Sequence, residues 1–197
     1  MENQRFRTWE TAALIALCLT LLWGCWAQGR QNDIAAGLVR LHVLAVSDDA
    51  AEQALKMRVR DAVLDYLRPR LAEAEDAGAA REILREELPG VAAAAQTAAE
   101  GREVRVSLGQ EDYPARDYGG FTLPAGRYES LRVVLGAGEG HNWWCVVFPP
   151  LCLEAAEGEP LESAMSPEDY AIVSGREGYE LRFWLVDLWG ELMNRLR

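Results

Sequence analysis

The order of apolar and polar residues predicts helices in the first half of the chain, after one early strand. Residues Leu38 to Val46 are apolar at both alternating sets of positions, which is typical of a central strand. Apolar residues at helical spacing then predict a helix from Ala50 to Leu67. Its apolar face comprises Leu55, Val59, Ala62, Val63, Tyr66 and Leu67. Two shorter helices, Ala79 to Leu88 and Val91 to Glu100, are predicted after it.

The second half of the chain has the pattern of strands. Apolar and polar residues alternate from Val104 to Leu108, which is the period of a half-buried strand. Tyr128 to Leu135 and Asn142 to Phe148 are also strand-like, and the glycine-rich segment between them predicts a β-hairpin. Residues 154–168 are predicted to form a loop, and an amphipathic helix is predicted from Tyr179 to Leu196. The fold class is therefore α+β: a small antiparallel or mixed sheet with helices packed mainly on one face.

The N-terminus resembles a targeting segment. Arg5 and Arg7 precede an apolar run from Ala12 to Leu22 that continues to Ala27, as in a secretory signal or signal-anchor. The sequence thus predicts three parts: a signal peptide or membrane anchor at 1–27, a linker at 28–37, and a single exported domain at 38–197. If the signal is not cleaved, residues 12–27 hold the protein on the membrane, with the domain outside.

Two adjacent tryptophans, Trp143 and Trp144, mark the last predicted strand. Neighbouring residues of a strand point to opposite faces, so one tryptophan fills the core and the other needs a second covering surface. That surface is either a protein partner or another part of this chain. Further candidates for contact with a partner are Tyr118, in a loop, and the charged side of the first predicted helix, with Lys56 and Arg60.

The four cysteines divide between the targeting segment and the exported domain. Cys145 and Cys152 are close in sequence, and in an exported domain such a pair is a disulfide candidate. Free buried thiols, and a catalytic pair of Cys145 with His141, are the alternatives. His141 is the sole histidine near these cysteines, so no metal site is predicted.

The composition limits the classes of partner and chemistry. The formal net charge of −11 argues against nucleic-acid binding, which needs clustered lysine and arginine. Paired catalytic carboxylates, a nucleophile elbow and a cluster of metal ligands are all missing from the sequence, so no catalytic residue, metal or cofactor is predicted. A binding protein is favoured over an enzyme.

Four stretches of the chain resemble one known family. Residues 140–152 follow the pattern Gly-x-Asn-Trp-Trp-Cys-Val-x-Phe-Pro-Pro-Leu-Cys, which is similar to the hallmark of the stage II sporulation protein R family. The other stretches that resemble the family, in the expected order, are 41–48 with the helix after it, 104–109 and 123–132. The resemblance covers roughly residues 38 to 153.

The resemblance implies a signalling function. Members of this family are exported from the forespore into the space between the forespore and mother-cell membranes. There they activate a membrane-embedded aspartic-type protease of the septum, which processes the precursor of the mother-cell sigma factor. The protease is therefore the expected partner. The alternatives are an exported hydrolase, with His42 or His141 beside an acid or thiol, and a structural envelope protein anchored through Ala12 to Leu22.

Overall fold

The computed structural model describes residues 2–118, 121–151 and 166–174. The chain begins with a 35-residue helix, α1, from Glu2 to Ala36. From Thr8 onward this helix is long and apolar enough to cross a membrane, and only 11% of its most apolar window is buried against the protein. The N-terminal helix therefore has the length and composition of a signal or anchor, as predicted.

The C-terminal part of α1 packs on the folded domain. The predicted linker, 28–37, continues the helix to Ala36, and Ala27, Gln31 and Ile34 are buried at helical spacing. Arg30 forms an ion pair of 3.2 Å with Asp169 of a short helix near the other end of the described chain. The segment contains many polar residues, and these predicted a linker. Its buried residues lie on one side of the helix only, which is the pattern of an amphipathic helix.

The domain is built on a four-stranded mixed sheet. Its strands are β1 (Val39–Leu44), β2 (Val104–Tyr113), β5 (Gly126–Leu135) and β6 (Asn142–Phe148). Two short strands, β3 (Arg116–Asp117) and β4 (Thr122–Leu123), form a separate two-stranded ladder. The order in the sheet is β2-β5-β1-β6, so β1 is an interior strand, as its apolar pattern predicted.

The predicted hairpin between β5 and β6 is wrong. Strand β1 lies between them, parallel to β5 and antiparallel to β6. The glycine-rich connection crosses the end of β1, where Gly140 N–H donates to the carbonyl of Ala45 at 3.0 Å. A Cβ on Gly140 would lie 2.3 Å from the Ser47 carbonyl oxygen, so this close crossing requires glycine.

Three helices cover what we call the first face of the sheet. These are α2 (Ala50–Leu71), α3 (Ala77–Glu86) and α4 (Leu88–Ala98). They pack on odd-numbered residues of β1 and β5 in one apolar cluster, whose fully buried members include Leu41, Val43, Val59, Val63, Leu84, Val91, Leu131 and Val133. Helix α2 buries Leu55, Val59, Val63 and Leu67, as predicted, and extends past Pro69 to Leu71.

The second face of the sheet is covered by less regular structure. The end of α1, the β3–β4 ladder and a short helix α5 (Pro167–Ser174) pack there, around Ile34, Leu38, Tyr113, Phe121, Leu123, Tyr128, Val146 and Val173. Helix α5 begins inside the predicted loop at 154–168. The predicted C-terminal helix, Tyr179 to Leu196, lies outside the described residues. The α+β class with a mixed sheet is confirmed.

Candidate functional site

Strand β6 places its two tryptophans on opposite faces of the sheet, as strand geometry requires. Trp143 lies opposite Val43 of β1 and packs on the first-face cluster. Trp144 lies opposite His42 and packs on the second-face cluster. Both are only partly buried, whereas the second half of the strand is buried. The first half of β6, residues 142–144, is thus the more exposed half. We call it, together with Arg60 and Arg116, the tryptophan edge.

Each tryptophan of this edge lies under an arginine. The guanidinium carbon of Arg60, from α2, is 4.8 Å from the ring centre of Trp143. That of Arg116, from β3, is 5.1 Å from the ring of Trp144. Both distances are within the range of cation–π contacts. Two sequence-predicted partner candidates, Trp143 and Arg60, are thus in contact, and Trp144 pairs with an arginine that the sequence reading did not single out.

A polar network lies behind Trp144 on the second face. The ring of His42 is 5.5 Å from that of Trp144. His42 Nδ1 is 2.8 Å from Glu111 Oε1, and Nε2 is 3.0 Å from the amide oxygen of Asn142. Ser130 donates to the second Glu111 oxygen at 2.9 Å. The network therefore ties the start of β6 to the three other strands of the sheet.

The charge of Glu111 is stabilised by this network. Burial alone would raise the pKa of its carboxyl group. Hydrogen bonds from His42 and Ser130, with the nearby charge of Arg132, outweigh burial and hold the pKa of Glu111 below its ordinary value. The carboxylate is thus ionised at neutral pH and fixes the His42 ring that supports Trp144.

Deeper on the same face, a buried arginine is surrounded by tyrosines. Arg40 is 0% exposed, and its guanidinium carbon lies 3.8 Å from the ring centre of Tyr113 and 4.9 Å from that of Tyr128. Arg40 Nη2 donates to the hydroxyl of Tyr118 at 2.5 Å. Burial raises the pKa of both Tyr113 and Tyr118, so these hydroxyls stay neutral.

Tyr118, a predicted partner candidate, packs on the second-face cluster, as Trp144 does. It is partly buried, stacks on Phe121 at 5.0 Å and directs its hydroxyl at Arg40. Its structural neighbours account for its ring and its hydroxyl. The two residues after Tyr118, Gly119 and Gly120, lie outside the described residues.

The prediction that Lys56 lies on the exposed side of its helix is wrong. Lys56 is 4% exposed, and its ammonium donates to the carbonyl of His141 at 2.8 Å and to Gln53 at 2.7 Å. Burial lowers the pKa of Lys56. The helix itself was predicted correctly, but the carbonyl that Lys56 binds is 85 residues away in sequence. Lys56 holds the connection that enters the tryptophan edge.

His141 and Cys145, the alternative catalytic pair, are each bonded to other groups. Exposed His141 pairs with Asp48, and the His141 backbone N–H chiefly holds the pKa of Asp48 below its ordinary value. Cys145 is disulfide-bonded, so it offers no thiol to His141. Its predicted partner, Cys152, lies outside the described residues, and that pairing stays a prediction.

The remaining acid–base geometry does not assemble a nucleophile. Both nitrogens of His42 face Glu111 and Asn142, while the Ser130 hydroxyl bonds to the carboxylate and to Tyr113 at 2.6 Å. A serine nucleophile needs the imidazole beside its hydroxyl. Within the described residues, no group of three or more His, Cys, Asp or Glu side chains could hold a metal ion. The arrangement is suited to presenting aromatic and cationic groups.

Comparisons with known proteins identify the family of the chain. Residues 35–157 match the family model of stage II sporulation protein R. The chain is 36% identical over 135 residues to stage II sporulation protein R of Bacillus subtilis (strain 168), an alignment that covers 66% of this chain. The chain spans 60% of the length of that relative. No solved structure matches. The matched residues include the whole sheet and the tryptophan edge, and the chain belongs to the stage II sporulation protein R family.

Proposed function

We propose that this protein is an exported signal of sporulation that activates a membrane-embedded aspartic-type protease of the septum. The protease then processes the precursor of the mother-cell sigma factor. Family membership supports the role in sporulation, and the N-terminal helix, with the composition of a signal or anchor, supports export from the forespore to the intermembrane space. The protease as partner follows from the family resemblance of residues 140–152.

The observation that carries a binding function is the tryptophan edge. Tryptophan and arginine are among the residues that are enriched in energetic hot spots of protein interfaces. Here two tryptophan–arginine pairs lie on either side of one exposed strand segment. A partner that covers this segment would contact both pairs together. The rest of the strand is buried, so the edge is fixed in place before binding, which lowers the entropic cost of association.

Activation requires that the signal bind the active conformation of the protease more tightly than the inactive one. A signal that binds both equally would shift nothing. Moving the protease from about 1% to about 99% active needs a preference of roughly 10⁴-fold, or about 5.5 kcal/mol. Two or three hot-spot residues, each contributing about 2 kcal/mol or more, would supply a difference of this size.

Reconstitution in a host that does not sporulate tests this proposal. The full chain, the protease and the sigma-factor precursor are co-expressed, and precursor processing is followed by immunoblot. We expect processing only when all three are present. A matched control carries Leu17→Glu, Leu19→Glu and Leu21→Glu, which should block insertion and trap the signal in the cytoplasm.

Two results would contradict different parts of the proposal. Processing by the trapped control would contradict action outside the cytoplasm. Absence of processing by the exported, folded chain would contradict protease activation itself.

A further inference from the structure

The sheet has a second edge, opposite the tryptophan edge, and it is longer. Strand β2 spans ten residues, Val104 to Tyr113, and pairs only with β5 in the described sheet. Gly136 N–H donates to the Glu103 carbonyl at 2.8 Å, which makes these two residues a hydrogen-bonded antiparallel pair. Such pairs alternate along a ladder, so the odd-numbered residues of β2 bond to β5. The even-numbered residues direct their N–H and C=O groups outward.

The outward groups of β2 lie on the side of the strand that faces away from β5. Val104 N–H, the first in the series, donates to the side chain of Gln96 at 3.2 Å, which confirms the direction of the series. The backbone hydrogen bonds among described residues include none that covers the outward side of Val106, Leu108, Gln110 or Asp112. A Cβ on Gly109 would meet no described atom within 4 Å, so the face of the strand at this residue is also uncovered in the described structure. An edge strand of this kind is a template for another strand.

The sequence of β2 is complementary to a second copy of the same strand. Arg105 and Glu111 lie three residues on either side of Leu108 and face the same side of the sheet. In an antiparallel pair centred on Leu108, Arg105 of each copy lies opposite Glu111 of the other. Arg105 is about half exposed and is held within its own chain by Glu103 and the Gly136 carbonyl, so it must turn to reach the other copy. Glu111 is about a quarter exposed and keeps its bonds to His42 and Ser130, because each carboxylate oxygen can accept more than one hydrogen bond. The partly buried Leu108 meets its own copy, and Ser107 meets Gly109.

We propose that two copies of this chain associate through β2, antiparallel and two-fold symmetric about Leu108. The even-numbered residues form three hydrogen-bonded pairs: Val106 with Gln110, Leu108 with Leu108, and Gln110 with Val106. The Arg105–Glu111 pairs fall at non-hydrogen-bonded positions, where opposing side chains are closest. Both sheets join into one sheet of eight strands, with a β6 strand at each outer end.

The proposed dimer has two binding surfaces for the partner. Because β2 and β6 are opposite edges, pairing through β2 leaves both tryptophan edges exposed. The dimer is a bivalent ligand. Two receptors in one membrane would then be engaged together, with the second contact made at high effective concentration.

Symmetric disulfide trapping tests the pairing in the full chain. The variant Leu108→Cys is made in a background of Cys18→Ser and Cys25→Ser, since those two thiols are free and exposed. In the proposed register the two Leu108 Cα atoms lie about 5.5 Å apart, within the range of a disulfide. The control, Gln110→Cys, places its two copies about 13 Å apart along the strands.

We expect a covalent dimer on non-reducing gels for Leu108→Cys and a monomer for Gln110→Cys. Equal trapping of both variants would indicate random collision and overturn the proposal, as would no trapping of either while circular dichroism shows a native fold.

Sedimentation of the full chain in detergent gives a second, independent test. The uncrosslinked chain should sediment as a dimer. Arg105→Glu should weaken dimerisation at least about tenfold, because two attractive pairs become repulsive. The control Arg127→Glu makes the same charge change at an exposed arginine of β5 and should leave the mass unchanged. A monomeric wild-type chain at tens of micromolar would overturn the proposal, even if β2 bound a segment of another protein.

Discussion

The two faces of the sheet are built from different materials. The first face is an apolar cluster under three helices, with Leu41, Val43 and Val133 fully buried. The second face contains a buried arginine, a histidine and a glutamate between aromatic rings. Strand β1 contributes residues to both faces, because alternate residues of a strand point to opposite faces. The difference indicates that the first face provides most of the stability, while the second face fixes the positions of specific groups.

At the edge strand β6, each face of the sheet ends in a tryptophan. Trp143 extends the apolar face, and Trp144 extends the polar one. A partner at the tryptophan edge therefore touches a rigid hydrophobic layer on one side and a hydrogen-bonded network on the other. Substitutions on the two faces should consequently have different effects on stability and on signalling.

The largest expected effect is on the first face. Leu131→Ala should lower the free energy of unfolding by about 2–5 kcal/mol, because it leaves a cavity in a close-packed cluster. The matched pair Val133→Ala and Val134→Ala removes the same atoms on opposite faces. Val134 is only partly buried, so its loss should cost less than half as much. Urea denaturation measures all three, and equal costs for the valine pair would contradict the difference between the faces.

On the second face, one substitution should act in the opposite direction. Arg40→Met should raise the free energy of unfolding by about 1 kcal/mol or more. Among the described residues, two nitrogens of the buried guanidinium, Nε and Nη1, have no hydrogen-bond acceptor, and an apolar side chain of similar length avoids that cost. Loss of more than about 2 kcal/mol in the same urea titration would show instead that the tyrosine contacts outweigh the desolvation of the charge.

The Glu111 network predicts a pH dependence confined to the second face. A carboxyl group with a lowered folded-state pKa stabilises the protein above its unfolded value and loses that contribution as pH falls. The stability of the wild-type protein should therefore decline as pH falls below about 4.5, the ordinary value for glutamate. Glu111→Gln should reduce this decline and leave the part that comes from Asp48, whose pKa is also lowered, and Ser130→Ala should reduce the decline by less. Thermal melts between pH 3 and 7 measure it; an unchanged decline in Glu111→Gln would contradict the role of the network.

The smallest expected effects are those of the two arginines over the tryptophans. Arg60→Ala and Arg116→Ala should each lower the free energy of unfolding by only about 0.5–1 kcal/mol, as partly exposed cation–π contacts do. We nevertheless expect both to reduce precursor processing. If both variants retain full precursor processing, the arginines cover the tryptophan rings without contacting the partner, and their role in binding is contradicted.

The sequence predicted the parts of the fold that depend on local pattern. Helix α2 and strand β1 follow from periodicity, and the opposite orientation of Trp143 and Trp144 follows from strand geometry alone. The insertion of β1 between β5 and β6 was missed because strand pairing depends on contacts between distant residues, and adjacent strands joined by glycines normally pair.

The site itself was predicted only in part. Arg40 was not singled out, because its burial depends on three tyrosines that are distant in sequence. Lys56 was misplaced because the carbonyl that it binds belongs to His141. Glu111 reaches His42 across an intervening strand, a contact that no spacing in one sequence reveals.

The central claim is that the tryptophan edge delivers the signal. The most direct measurement is precursor processing by Trp143→Ala and Trp144→Ala, compared with their free energies of unfolding and with those of Leu131→Ala. The account predicts that each tryptophan variant loses far more processing than Leu131→Ala, even where Leu131→Ala loses at least as much stability. If processing falls only in proportion to lost stability in all three variants, the tryptophans serve the fold and the signalling surface lies elsewhere.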